Sequence, residues 1–152
     1  MNAPEALDER CMMLALAEAR RAASMGEVPI GAVVTAPDGS IIGRGHNLTE
    51  TLHDVTAHAE MQAITAATAT LGSKYLDGCT LYVTVEPCVM CAGAIGWSHL
   101  ARIVAGAPDP KGGYSTFTSR SPFHPRAIYT SGVLADECRA LMQDFFRRRR
   151  KK

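Results

Sequence analysis

The chain lacks any unbroken apolar stretch long enough to cross a membrane, although apolar residues fill 47% of its 152 positions. That excludes a helical membrane span and leaves ample material for a packed core. The opening residues, Met1-Asn2-Ala3-Pro4-Glu5, lack the basic-then-apolar layout of a secretion signal. A cytoplasmic protein is expected. There are only five cysteines, an odd number. A disulfide framework is therefore not expected, and the thiols divide between ligands and core positions. No internal repeat, inter-domain linker or low-complexity tract interrupts residues 1–152, a length that suits a single domain.

Net charge is also small, at +1, but unevenly placed. All six residues from Arg147 to Lys152 are basic. Setting them aside leaves ten Lys and Arg against 15 Asp and Glu, a body formally at −5. A basic block at a terminus suits nucleic acid, or it complements the dipole of a solvated helix end.

What is present reads as alternating helices and strands. Pro4–Met25 carries apolar residues at helical spacing, with Gly26 as its stop. Ile30–Thr35 and Ile41-Ile42 flank the turn Pro37-Asp38-Gly39, a β-hairpin. Ala57–Leu71 predicts a second helix and Cys79–Val85 a strand. Pro87 is expected to open a short helix to about Trp97, since Pro favours the first helical position. Strands are expected at Arg102–Ala105 and Ala127–Thr130. The long segment Pro108–Arg126 between them carries Tyr114, Phe117, Phe123 and His124. A last helix runs from about Leu134 into the basic tail 147–152. This order implies an α/β domain with helices covering a mixed sheet.

The chemistry-bearing residues fall at two predicted helix starts. Cys88-Val89-Met90-Cys91 puts two thiols on one helix face in its first turn, where the dipole and free N–H groups favour thiolate. Ala57-His58-Ala59-Glu60 supplies an imidazole and a carboxylate. His58, Cys88 and Cys91 together suit tetrahedral zinc, with the fourth position left to water. Two thiolates cancel the ion's formal charge, so a nearby carboxylate, Glu60, is needed to take and return the water proton. Residues two apart point to opposite sides of a helix, so His58 is expected before or in the first turn, with Glu60 facing the metal. A purely structural zinc would need a fourth protein ligand, for which Cys79 and Cys138 are the spare thiols.

With Pro87, these residues form the H-x-E…P-C-x-x-C pattern of zinc nucleobase deaminases. The chain resembles the bacterial tRNA-specific adenosine deaminases of the cytidine/deoxycytidylate deaminase superfamily. The resemblance covers nearly the whole length. It runs through Gly26-Glu27-Val28-Pro29-Ile30-Gly31-Ala32-Val33, His53–Glu60, Glu86–Ile95, Gly132–Cys138 and Phe145-Phe146 with the basic run. It implies a three-layer α/β/α fold around a five-stranded mixed sheet, a homodimer and one zinc per subunit. It also implies hydrolytic conversion of the wobble adenosine of a tRNA anticodon stem-loop to inosine. Attack falls at C6 of adenine, with Glu60 protonating N1 and assisting departure of ammonia. By position, Asn47 would contact the base, and Asp109 and Lys111 would line the pocket mouth. Val55, where many members have Pro, and Gly112–Thr116 depart from the common pattern.

Two other functions remain compatible with the same metal residues. One is a deaminase of a free base or nucleoside (guanine, cytosine or adenosine), which has no use for the basic tail. The other is a non-catalytic RNA-binding zinc subunit, which has no use for Glu60.

Overall fold

A computed structural model describes residues 3–150. Its elements are α1 (Ala3–Ser24), β1 (Gly31–Thr35), β2 (Ile41–His46), α2 (Ala59–Leu71), β3 (Thr80–Val85), α3 (Val89–Trp97), β4 (Arg102–Ala107), β5 (Ile128–Ser131) and α4 (Ala135–Arg150). The sheet order is β2-β1-β3-β4-β5. β1 pairs antiparallel with β2 and β3, while β3-β4 and β4-β5 are parallel. This is the expected five-stranded mixed sheet in the cytidine-deaminase arrangement. None of its helices is long and apolar enough to span a membrane among the described residues.

Both sheet faces are buried, so the central strands read as continuous apolar runs rather than alternating ones. Ala32, Val34, Leu81, Val83, Ile103 and Ala105 meet α2 and α3. Their intervening neighbours Val33, Tyr82 and Val104 meet α1 and Cys138 of α4. The alanines of α2 have a specific cause. A Cβ on Gly43 or Gly45 of β2 would run into the backbone of Ala63, Ala67 or Ala59. The helix therefore rides directly on the strand, and its N-terminus is fixed against the sheet.

Two helix starts differ from the sequence expectation. α2 begins at Ala59, with extended His58 as its N-cap (φ −76°, ψ 157°), not at Ala57. α3 begins at Val89 with extended Cys88 as N-cap (φ −71°, ψ 171°), so Pro87 lies two residues before the helix and does not open it. Proline instead holds the preceding Glu86 in extended backbone, carrying the β3 direction up to the thiols. Of the expected basic tail, Arg147–Arg150 close α4, and Lys151 and Lys152 lie outside the described residues.

The segment between β4 and β5 is ordered around its aromatics. Phe123 is buried, and it stacks on Tyr129 and meets Tyr114 edge-on. Tyr114 and Phe123 are thus core residues, while Phe117 is 66% exposed.

Candidate metal centre

The two helix N-termini converge. His58 Nδ1 lies 3.6 Å from Cys88 Sγ and 3.5 Å from Cys91 Sγ. Zn–S and Zn–N bonds of ordinary length at a tetrahedral angle put N and S about 3.6 Å apart. Both separations of His58 Nδ1 from the sulfurs are therefore those of neighbouring corners of a zinc-sized tetrahedron. All three ligand atoms lie within 4.8 Å of one another, and among the described residues this is the only such group. Cys79 and Cys138, the spare thiols, are buried elsewhere and supply no fourth ligand.

The caps explain the geometry. Extended backbone at His58 and Cys88 turns both side chains off the helix ends toward each other, while Cys91 reaches the same point from the third helical position. The His58 ring also interacts with the Val55 carbonyl. With Nδ1 turned toward the thiols, the tautomer that carries its proton on Nε2 would leave Nδ1 as the lone pair available to a metal.

Electrostatics polarise the cluster. The Cys91 thiol donates to Cys88, and with His58 pulls the Cys88 thiol down to about 4 despite burial. The Cys91 thiol is correspondingly pushed up, first by that same bond and then by burial. Glu60 sits inside the first turn of α2, 3% exposed, with its carboxyl against the Cys91 thiol. Burial pushes it up to about 7, and the Cys88 charge adds to that. His58 before the helix and Glu60 facing the thiols match the expected backbone geometry.

The other predicted residues divide. Asn47, at the end of β2, is 7% exposed. Its Oδ1 accepts from the Thr49 amide at 3.2 Å, which is the turn-forming role, and its Nδ2 is left as the donor. Asp109 Oδ1 accepts from the amides of Lys111 and Gly112, at 3.1 and 3.0 Å. Asp109 and Lys111 line a groove of about 1170 Å³ with Val28 and Ile30 on the sheet side and Met142 and Phe146 on α4. Arg139, Arg147, Arg149 and Arg150 also face it. The metal ligands, Glu60 and Asn47 are not among its walls. Val85 and Ala107, at the ends of β3 and β4, also line the groove.

Glu27 and Glu86 are buried carboxylates that no motif marks as individual residues, as are Asp8 and Glu18. Glu27 holds the amides of Glu50 and Thr51, and Glu86 holds those of Asp109 and Ser115. Each stands at the edge of an apolar strand, next to a Val, where a charge is out of pattern. That misplacement was the available signal.

The family model for MafB19-like deaminase matches residues 7–150. A tRNA-specific adenosine deaminase of Bacillus subtilis (strain 168) is 48% identical over 95% of this chain and 92% of its own length. One from Agrobacterium fabrum (strain C58) is 45% identical over 91% and 93%. A solved structure from work on A-to-I editing by tRNA:A34 deaminases superimposes with TM-score 0.78 at 43% identity, covering 87% of this chain and 98% of that one. Guanine deaminase from Nitrosomonas europaea superimposes with TM-score 0.76 but only 29% identity, over 95% and 85%.

Proposed function

The chain belongs to the tRNA-specific adenosine deaminases, and from that premise we propose that it is a single zinc-dependent deaminase domain acting in the cytoplasm. Its reaction is hydrolytic deamination of the wobble adenosine of a tRNA anticodon loop to inosine. The observation that carries the chemistry is the His58–Cys88–Cys91 tetrahedral spacing with the Glu60 carboxyl against it. The observation that carries the substrate is identity. Near-full-length likeness is 43–48% to tRNA deaminases and 29% to a guanine deaminase of equally similar fold.

In this reading His58, Cys88 and Cys91 hold zinc, which when bound activates water toward attack on a purine ring carbon. Glu60 would take one proton from the attacking water and place it on the adenine N1, then take the remaining proton of the added hydroxyl and pass it to the leaving amino group, which departs as ammonia. The wall of α2 and α3 keeps bulk water from the carboxyl. Asn47, through Nδ2, donates to the base. The target nucleotide must leave its stack to reach the centre, which a single-stranded loop allows at low cost. Asp109, Lys111 and the arginines of α4 line a groove suited to the flanking phosphates. A homodimer is part of the same proposal. Trp97 on metal-bearing α3 is 83% exposed, a large apolar surface for a second copy to cover.

The test offers zinc-loaded protein an adenosine-containing anticodon stem-loop in parallel with free adenosine, guanine and cytosine. Inosine formation in the stem-loop alone, falling steeply with added salt, is the expected result. Turnover of free guanine without salt dependence would instead support the free-base reading, which the guanine-deaminase fold likeness favours. RNA binding with no deamination at all would support the non-catalytic subunit.

A further inference from the structure

One carboxylate outside the metal centre ties the ligand-bearing turn to the groove. Glu86 is buried between β3 and Cys88. Its Oε1 accepts from the Asp109 amide at 3.2 Å. Its Oε2 accepts from the Ser115 amide at 3.0 Å and the Ser115 hydroxyl at 2.7 Å. Gly113 is buried against it, and a Cβ there would run into the Glu86 carboxyl. The Tyr114 amide donates to the Pro87 carbonyl at 2.8 Å, a second tie between the same two segments. Asp109 completes the knot by accepting from Lys111 and Gly112 with its side chain and from Gly113 with its carbonyl. The amides of Asp109, Lys111, Gly112 and Ser115 therefore turn onto two carboxylates and those of Gly113 and Tyr114 onto carbonyls, while the Lys111 side chain stays exposed at the groove.

We propose that Glu86 is a positioning residue for substrate: it sets Asp109, Lys111 and Gly112 at a fixed offset from Cys88, so that a strand in the groove delivers its base to the metal. The proposal rests on the tRNA reading for the identity of that strand. The carboxylate is suited to the task because it only accepts, and three donors converge on it. Glu86→Gln keeps the shape but turns an NH₂ toward one of those donors.

For Glu86→Gln, KM for the stem-loop should rise roughly tenfold while kcat stays within about threefold, because the reacting groups are untouched and the rim that binds flanking nucleotides is loosened. Zinc content should match wild type, and amide exchange at Asp109 and Ser115 should accelerate with β3 still protected. Ser115→Ala, which deletes one bond and is safe for folding, should move KM the same way by less. Gly113→Ala should mimic Glu86→Gln, and the double variant should lose less than the two effects combined. Accelerated exchange with KM unmoved would overturn the proposal, as would a fall in kcat accompanied by zinc loss. If wild type turns over a free base instead, the tRNA reading fails separately. The same KM split is then measured with that base, and unchanged exchange at Asp109 and Ser115 overturns the positioning role in either case.

Discussion

The metal centre and the loop that follows β2 each enclose a glutamate with almost no exposure, 3% for Glu60 and 1% for Glu27. Their protons respond in opposite directions. Burial dominates at Glu60 and pushes its carboxyl up to about 7. At Glu27 burial pushes the same way, but the Thr51 hydroxyl and the Thr51 and Glu50 amides outweigh it and hold the carboxyl below its usual 4.5. The distances are 2.7 Å to both Thr51 groups and 3.2 Å to the Glu50 amide. Two differences act together: Glu60 lies deep among packed atoms with few donors, whereas Glu27 lies close under the surface with several. A carboxylate surrounded by N–H and O–H groups is a structural anchor, and one left beside thiols is a group that can exchange a proton.

The hardest test of that contrast is Glu60→Gln. The isostere keeps the packing and removes the proton carrier, so kcat should fall by about two to four orders of magnitude. Zinc content should persist, because the three ligand atoms are placed by other residues. Retained activity would break the division between anchor and proton carrier at its functional end.

Glu27→Gln is the reciprocal change. It turns an NH₂ toward the Glu50 or Thr51 donors, and urea unfolding should register a loss of roughly 1–3 kcal/mol. kcat on a stem-loop should change far less than in Glu60→Gln. The acid branch of the stability curve sharpens the point further. Glu27 has a folded value below its unfolded 4.5, so its contribution is complete above pH 4.5. It is lost as pH falls through the folded value. The gap between wild type and Glu27→Gln should therefore be constant near neutrality and close in acid. A gap that instead grew in acid would mean that Glu27 is not held ionised.

These two glutamates also mark where the sequence stops being informative. The candidate donor cluster of His58, Cys88 and Cys91, with Glu60 beside it, was legible because these residues sit in two short motifs whose spacing and helix-start position are local properties. The five strands followed from apolar runs and turns, but their order in the sheet is set by long-range pairing that no local pattern records. The start of α3 was misplaced by two residues because the preference of Pro for a first helical turn competes with the need for extended Cys88 to reach the metal. Tyr114 and Phe123 could not be told from exposed Phe117, since a segment without periodicity carries no record of which side faces the core. The partners of Glu27 and Glu86 are backbone amides 23 to 29 residues away, and an amide has no sequence identity to read. Such anchors become visible only when the chain is folded.

The smallest expected effect isolates burial itself. Asp54, in the same loop as Thr51, makes nearly the same pair of bonds as Glu27. It accepts from the Thr56 amide at 2.8 Å and the Thr56 hydroxyl at 2.7 Å, and these bonds hold its carboxyl low. The difference is that Asp54 is exposed. Water can replace either bond there, so removing the charge strands no donor in a dry site. Asp54→Asn should leave the urea midpoint close to wild type and well above that of Glu27→Gln. Zinc content is a second readout, since this turn also carries the Val55 carbonyl that meets the His58 ring and the Thr56 carbonyl that accepts from the His58 amide at 2.8 Å. If Asp54→Asn proved as damaging as Glu27→Gln, the stability of this loop would come from its hydrogen-bond geometry alone. The contrast between the two regions would then have to be redrawn around turn conformation, not around the desolvation of a charge.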